Sequence, residues 1–142
     1  PMLGWRSPSG RKTPNTMHVL KSLGYIYDSS DKDYDLPYRL RFGPKENDWI
    51  VELPNNTYSL DDFPFYKFSY TPPSEVLDIF PRELDAAYDE GGILQLTMHP
   101  HVIGYRSRIW ILEEIIRHAR GKAGAWFATH AQVVDWVKRE AA

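Results

Sequence analysis

The sequence predicts an α/β fold with parallel strands and flanking helices. Short apolar segments of strand character alternate along the chain with amphipathic helical segments, and the connections between them are too long for hairpins. The chain has 142 residues, enough for one modest domain with its own core. Hydrophobic residues make up 42% and charged residues 25%, as is typical of a globular protein. We therefore expect a single domain over residues 1–142.

Four short apolar runs are predicted as strands because each is bounded by a proline or a turn residue. They are residues 25–27, 49–54, 92–98 and 125–129. The longer segments between elements, 31–47 and 55–73, are predicted as irregular connections. A loop as long as the second is usually functional or a lid. Four strands are few for a closed barrel and leave sheet edges exposed.

Four further segments have the periodicity of amphipathic helices. They are residues 13–23, 74–90, 105–120 and 130–139. Thr13 and Pro14 predict an N-cap and a first helical position. Pro81 predicts a kink or a restart of the second helix. In the last helix we expect burial through Val133, Trp136 and Val137.

Composition excludes several classes of function. The formal net charge is −2, which gives no electrostatic basis for binding nucleic acid or an anionic membrane. The absence of cysteine excludes disulfides, thiol nucleophiles and thiolate metal sites. No apolar run has the length needed to span a bilayer. The compartment stays open, with the cytoplasm as the expectation.

Two histidines, His99 and His101, follow the predicted strand 92–98, which Pro100 ends. The carboxyl ends of parallel strands are where α/β folds place their chemistry. One interpretation is an H-x-H metal site, but the sequence offers no convincing third and fourth ligand. A second is that His99 is a general acid or base. A third is a histidine hydrogen-bonded in a packed turn.

Two other features carry candidate chemistry. Arg6 lies in a loop of small residues and prolines, where a guanidinium can hold a carboxylate bidentately or remain a solvated charge. Asp61 and Asp62 are paired carboxylates, which can bind a divalent metal or divide acid and base roles. Such a pair before a proline is more often a solvated turn or a cap.

Taken in order, several segments resemble the polysaccharide deacetylase family, the NodB-homology group of metal-dependent C–N hydrolases. Residues 4–10 look like its Arg-x-Pro motif and residues 96–100 like its Leu-x-His motif. Residues 60–64 resemble the branch of peptidoglycan-deacetylase-like proteins and cyclic imide or ureide hydrolases. Further likeness covers residues 9–30, 104–113 and 126–129, so the resemblance extends over essentially the whole chain.

The resemblance implies the C-terminal half of a distorted (β/α) barrel of NodB type. In that family a divalent ion, usually zinc, polarises the amide carbonyl, and an aspartate acts as the general base. Carried over, Arg6 would orient that base, and His99 would protonate the leaving nitrogen. Trp5, Pro8 and Asp62 are the implied substrate-binding residues, with a structural role as the alternative for Asp62.

The chain departs from the family pattern in one large respect. The family's metal-binding motifs, an aspartate pair and His-x-x-x-His, belong upstream of Arg-x-Pro. No His-x-x-x-His occurs in this sequence, and its one aspartate pair lies after Arg6. We therefore expect zinc to be bound by residues outside this chain. The expected partner is an N-terminal half of the same barrel, without which the chain would be inactive; a homo-oligomer is a further expectation.

Four readings of function remain open from the sequence. The first is deacetylation of N-acetylated carbohydrate of the peptidoglycan type, and the second is hydrolysis of small cyclic imides or ureides. The third is a non-catalytic carbohydrate-binding or structural remnant of the barrel. The fourth is a self-contained H-x-H metal hydrolase. The aromatic loop 58–70 could stack against either a sugar or a planar ring.

Overall fold

The computed structural model describes residues 2–56 and 59–140 and divides into two compact units. The first unit comprises Pro1–Asn55 together with Phe127–Ala142, and the second is Asn56–Trp126. No helix in the described part of the chain is both long and apolar enough to cross a membrane.

The first unit is built on a four-stranded sheet with the order β1-β2-β4-β3. Its strands are β1 (Gly4–Trp5), β2 (Tyr27–Asp28), β3 (Tyr38–Arg41) and β4 (Trp49–Glu52). The pairs β1–β2 and β2–β4 are parallel, whereas β3 runs antiparallel to β4. The predicted α/β class with a parallel-rich sheet is confirmed, with one antiparallel edge strand added.

Strand β3 corrects the prediction that residues 31–47 form an irregular connection. Its four residues alternate, with Tyr38 and Leu40 half-buried and Arg39 and Arg41 exposed. Arg39 also places its guanidinium over the ring of Trp49, 4.6 Å from the ring centroid. Four residues of alternating character at a sheet edge give a pattern too short to stand out from the polar sequence around it.

Helix α1 (Thr16–Ser22) lies in the first unit, where Met17 and Leu20 form a buried cluster with Ile50. The helix begins later than predicted because the backbone N–H of Thr13 donates to the Thr16 hydroxyl in a preceding turn. Gly24, at φ 83°, follows the helix in the left-handed region that glycine adopts at helix ends.

Helix α5 (His130–Glu140) confirms the last predicted helix. It buries Val133, Val134 and Val137. The expectation that Trp136 is buried is wrong, since this side chain is 46% exposed. The predicted strand 125–129 is also wrong: residues 125–129 have no strand pairing and lead directly into the helix.

The second unit is mainly helical. It contains a π-helix (Pro64–Phe68), α2 (Pro73–Asp89), α3 (Pro100–Ile103) and α4 (Ile109–Arg120). Its buried core consists of residues from these helices and the loop before them: Leu60, Tyr66, Val76, Phe80, Val102, Ile103, Ile111 and Ile115. Helix α2 runs through Pro81 as one helix, so the predicted restart is wrong. Burial of Phe80 and Leu84 on either side of the proline stabilises the continuous helix.

Helix α4 begins at Ile109 rather than at residue 105. Its buried face consists of Ile111, Ile115 and Ala119, while Ile109 and Ile116 are exposed.

The segment predicted as strand 92–98 has no strand ladder and pairs at one position. Thr97 forms a parallel bridge with Asp61. The Thr97 N–H donates to the Leu60 carbonyl at 2.7 Å, and the Asp62 N–H donates to the Thr97 carbonyl at 3.1 Å. The apolar run in this segment therefore reflects burial of its side chains, and not the formation of a strand that pairs along its length. The bridge fixes the register between residues 60–62 and the segment that leads to His99.

Truncation of Phe80 should test the core of the second unit. Phe80 is 0% exposed, so Phe80→Ala should lower the free energy of unfolding by about 3–5 kcal/mol. The matched control is Phe68→Ala at a side chain that is 76% exposed, with an expected change within about 0.5 kcal/mol. Urea unfolding followed by fluorescence measures both, and equal losses in the two variants would contradict this core.

Candidate functional site

The second unit brings together His99 and Asp62. Asp62 Oδ1 lies 2.6 Å from His99 Nδ1, and Asp62 Oδ2 accepts the backbone N–H groups of His99 at 2.9 Å and Ile103 at 3.1 Å. The Asp62 side chain is 0% exposed. A buried carboxylate needs such donors, because an unpaired buried charge is costly. Asp62 is thus fixed from three directions.

This contact determines which nitrogen of His99 can act on a substrate. Since Asp62 accepts from Nδ1, Nε2 is the ring nitrogen available to another molecule. The His99 side chain remains 34% exposed, with the Phe63 ring 5.5 Å and the His101 ring 5.7 Å away between centroids. An oriented, partly exposed imidazole with an aromatic neighbour is suited to proton transfer.

Asp61 has a different role from its neighbour. Its Oδ1 accepts the Phe63 N–H at 2.8 Å, which is an Asx turn leading into the π-helix. The Asp61 carboxylate lies 3.8 Å from His99 Nδ1, well beyond the distance of Asp62. The turn interpretation of the aspartate pair is therefore correct for Asp61, whereas Asp62 is the partner of His99.

Arg6 lies in the first unit, directly after β1. Its Nη2 donates to the Ser29 hydroxyl at 2.7 Å. Trp5, at the end of β1, is 37% exposed, and Pro8 is exposed at the start of a short 3₁₀ helix, Pro8–Gly10. Their predicted substrate contacts stay predictions. The complete burial of Asp62 favours its structural alternative over a place on the wall of a substrate pocket.

Two more polar side chains lie close to Arg6. His130 Nδ1 is 3.2 Å from the Tyr27 hydroxyl, with the two rings edge to face. Burial, together with the positive charge of Arg6, lowers the pKa of His130. The Tyr27 ring lies against Gly4, where a Cβ would overlap it. Glycine in β1 therefore allows Tyr27 to reach His130.

A second carboxylate group lies where β2 and β4 end. Asp28 and Glu52 are register partners on these strands, and both are 0% exposed. The Lys12 ammonium is 3.2 Å from Asp28 Oδ2 and 2.5 Å from Asp31 Oδ1. Glu52 Oε1 accepts the Asp31 N–H at 2.9 Å, while its buried Oε2 has no hydrogen-bond donor among the described residues.

Two groups of side chains in the described chain offer ligand atoms close enough for a cation: Asp61, Asp62 and His99, and Asp28, Asp31 and Glu52. We expected the metal to be bound by residues outside this chain, whereas these two groups of metal-capable side chains lie within it. In the first group, however, Asp62 Oδ2 already accepts two backbone N–H groups and Asp62 Oδ1 lies 2.6 Å from His99 Nδ1. In the second, the Lys12 ammonium supplies a cation. Both arrangements fit protein hydrogen bonding better than metal coordination.

The H-x-H metal interpretation is not supported by the geometry. Among the residues that the structure describes, His101 belongs to no group of three metal-capable side chains. His101 is exposed at the start of α3, where Pro100 turns the chain into the helix. The two rings are neighbours, but His99 alone of the two belongs to such a group among the described residues.

Sequence reasoning singled out Arg6, Asp62 and His99 but missed Ser29, which accepts from Arg6, and the buried carboxyl groups of Asp28 and Glu52. Ser29, Asp28 and Glu52 had no individual signal, although each lies in or beside a run that we predicted as a strand. A polar residue at the carboxyl end of a buried parallel strand is the sequence signal that would have found them. The pairing of Asp62 with His99 is a long-range contact across 37 positions, which no local pattern predicts.

Comparison with known proteins finds deacetylases that are similar to this chain in sequence and in structure. No protein-family model matches the sequence. The peptidoglycan deacetylase of Helicobacter pylori is 26% identical over 163 residues, covering 93% of this chain and 55% of that protein. A Mycobacterium smegmatis crystal structure assigned to the polysaccharide deacetylases matches with a TM-score of 0.84 at 29% identity. This match covers 98% of this chain and 50% of that one.

A third similar protein is named as an allantoinase and not as a deacetylase. The crystal structure of the PuuE allantoinase matches with a TM-score of 0.80 at 25% identity, covering 96% of this chain and 46% of that one. The deacetylases and the allantoinase are hydrolases of C–N bonds built on (β/α) barrels. The chain spans about half the length of these relatives.

Replacement of Glu52 should remove a pH dependence of stability. Burial, with the negative charge of Asp28, raises the pKa of Glu52 to about 8 in the folded chain, above the ordinary 4.5. The folded state then holds a proton that the unfolded state releases. The resulting stabilisation is complete below pH 4.5 and is lost as the pH rises through about 8.

Denaturant unfolding between pH 5 and 8.5 measures this effect. The wild-type chain should lose stability relative to Glu52→Gln as the pH rises, by an amount on the order of a few kcal/mol. Glu46→Gln, at an exposed glutamate of the same unit, should follow the wild type. Parallel curves for wild type and Glu52→Gln would contradict the buried proton.

Proposed function

We propose that the chain is part of a hydrolase that deacetylates N-acetylated carbohydrate of the peptidoglycan type. Its similarity, over nearly its whole length, to about half of a peptidoglycan deacetylase and half of a polysaccharide deacetylase structure supports this proposal. The Asp62–His99 pair is the observation that carries this proposal. It supplies an oriented imidazole at the position that resembles the family's Leu-x-His motif. The relatives named as deacetylases support the substrate class.

His99 is the proposed general acid. Amide hydrolysis requires a proton on the departing nitrogen, because an amide anion is too basic to leave. With Nδ1–H held by Asp62, the imidazolium form of His99 has its second proton on Nε2 and donates that proton to the leaving nitrogen, which returns the ring to its neutral Nδ1–H form. The 2.6 Å contact and the complete burial of Asp62 keep the imidazole in one orientation. Asp62 is therefore a positioning residue for His99.

Arg6 is the proposed orienting residue for the general base. A guanidinium can hold a carboxylate through two parallel hydrogen bonds, which fixes the direction of its lone pairs. The base itself is proposed to come from an N-terminal half of the barrel, supplied outside this chain. The coverage of about half of each relative supports this division.

A divalent cation, zinc by resemblance, would polarise the amide carbonyl and activate the attacking water when bound. The carboxylate and imidazole groups of this chain fit hydrogen bonding better than coordination. We therefore assign no step of the reaction to a cation held by these residues. Proton donation by His99 and orientation by Arg6 are the contributions proposed for this chain.

Hydrolysis of a cyclic ureide or imide is the second candidate, favoured by the likeness to an allantoinase. Both substrates require cleavage of an amide-type C–N bond and protonation of the leaving nitrogen. They differ in size and shape, so a panel of N-acetylated glycans and small ureides, given to the complete assembly, separates them. Turnover of glycans alone supports the deacetylase. Activity on neither class would favour a non-catalytic remnant.

Loss of the proposed acid should slow the complete assembly. His99→Ala should reduce kcat by about 10²–10⁴-fold, the usual contribution of a general acid. His101→Ala is the matched control at the neighbouring exposed histidine and should retain activity. Steady-state kinetics on the preferred substrate measures both. Comparable losses in the two variants would contradict the assignment of the acid to His99.

The role of Asp62 has a separate test. Asp62→Asn keeps the size of the side chain but removes its charge, so it should reduce kcat by a factor similar to that for His99→Ala. The double variant should be no slower than His99→Ala alone, because the two residues act as a unit. Asp61→Asn preserves the acceptor of its turn and should change kcat little. Additive losses in the double variant would show that Asp62 acts independently of His99.

A further inference from the structure

We propose that Ser29 is the positioning residue of Arg6, holding its guanidinium at the end of the parallel strands. The importance of this contact for the reaction rests on the role proposed for Arg6 above. The contact itself is a property of the first unit and can be tested without any activity.

The hydrogen bonds of the Ser29 hydroxyl define its direction. Arg6 Nη2 donates to Ser29 Oγ at 2.7 Å, and Ser29 Oγ donates to the Leu53 carbonyl at 2.6 Å. A hydroxyl has one proton to donate. Because that proton is directed to Leu53, the lone pairs of Ser29 are left to accept from the guanidinium.

The backbone of Ser29 is fixed as firmly as its side chain. Its N–H donates to the Trp5 carbonyl at 2.9 Å, and its carbonyl accepts from Asn55 Nδ2 at 3.0 Å. These partners lie at the end of β1 and just beyond β4, while Ser29 directly follows β2. Three neighbouring parallel strands therefore determine where the hydroxyl lies.

Burial makes the Ser29 hydroxyl difficult to replace. Ser29 is 1% exposed. Removal of the hydroxyl would take this partner from both the buried Leu53 carbonyl and one guanidinium N–H of Arg6, which is unfavourable in a buried site. The cationic donor makes the Arg6 contact the stronger type of hydrogen bond. Ser29 is thus suited to restricting a long and otherwise flexible side chain.

The side chains near Arg6 provide a reporter of its position. The Arg6 charge contributes to the lowered pKa of His130, whose main cause is burial. The same charge opposes the effect of burial on the pKa of Tyr27. Tyr27 and His130 contact each other, so they sense the guanidinium as neighbours. Movement of Arg6 away from Ser29 should therefore raise the pKa of His130.

The chain offers a matched control in the next residue. Ser30 is also buried, and its hydroxyl donates to Asp28 Oδ1 at 2.6 Å and accepts the Ser7 N–H at 2.8 Å. Ser30→Ala therefore removes an equally buried hydroxyl that belongs to another network. A general loosening of the sheet would affect both serine variants, whereas a specific effect on Arg6 would follow Ser29 alone.

The experiment is an NMR titration of the His130 ring in the full 142-residue chain. Arg6→Ala sets the value expected when the guanidinium is absent. Ser29→Ala should raise the His130 pKa part of the way toward that value, while Ser29→Thr and Ser30→Ala should match the wild type. Ser29→Cys, similar in shape with a weak acceptor, gives the same test should Ser29→Ala fail to fold.

An unchanged His130 pKa in both Ser29→Ala and Ser29→Cys would overturn the proposal. An unchanged value in Arg6→Ala would also overturn it, because the guanidinium would then not lie where Ser29 holds it. A shift of equal size in Ser30→Ala would reduce the effect to general loosening and would likewise overturn it.

Kinetics of the complete assembly separates this inference from the proposed function. Ser29→Ala should lower kcat on the order of 10–100-fold with KM unchanged, since Arg6 is proposed to orient the base and a small misplacement is costly. Ser29→Thr should restore kcat. A shifted His130 pKa with normal kcat would support the positioning by Ser29 and contradict the role of Arg6 in the reaction.

Discussion

The Asp62 carboxylate is the interaction on which the candidate site depends. It is completely buried and accepts hydrogen bonds from the backbone of His99, the ring of His99 and the backbone of Ile103. Removing a carboxylate from water is costly unless donors replace the lost solvent. The donors here belong to the residue that Asp62 orients and to the short helix after it. The same hydrogen bonds therefore stabilise the charge of Asp62 and orient the imidazole of His99. The parallel bridge between Asp61 and Thr97 fixes the register of the two segments that contain these residues.

In the first unit, several polar side chains together stabilise the buried carboxyl groups of Asp28 and Glu52. Polar side chains cluster where its parallel strands end, and each buried charge there has an internal counterpart. Lys12 lies between Asp28 and Asp31, while burial, together with the negative charge of Asp28, raises the pKa of Glu52. Arg6 donates to the Ser29 hydroxyl at the same edge of the sheet. The proposed function requires that this guanidinium orient a carboxylate from outside the chain.

Sequence reasoning predicted the features that depend on local patterns. The periodicity of α2 and α5 and the apolar run of β4 gave the correct elements, and the ordered motifs gave the resemblance to polysaccharide deacetylases that the comparisons support. Features that depend on the pairing of strands or on contacts between distant residues were harder to predict from the sequence. Strand β3 was missed because its alternation is short, and residues 92–98 were assigned as a strand because burial and pairing look alike in one sequence. His99 was identified as a candidate acid, but Asp62 as its partner required the fold, since residues 37 positions apart share no local signal.

The tautomer of the neutral His99 ring tests the central claim most directly. Asp62 accepts a hydrogen bond at Nδ1, so the account predicts that the neutral ring carries its proton on Nδ1 and leaves Nε2 unprotonated. The ¹⁵N chemical shifts of the two ring nitrogens in the isolated chain distinguish the tautomers. A protonated Nδ1 that reverts to the Nε2–H form in Asp62→Ala is the predicted result. A ring already protonated on Nε2 in the wild-type chain would contradict the account.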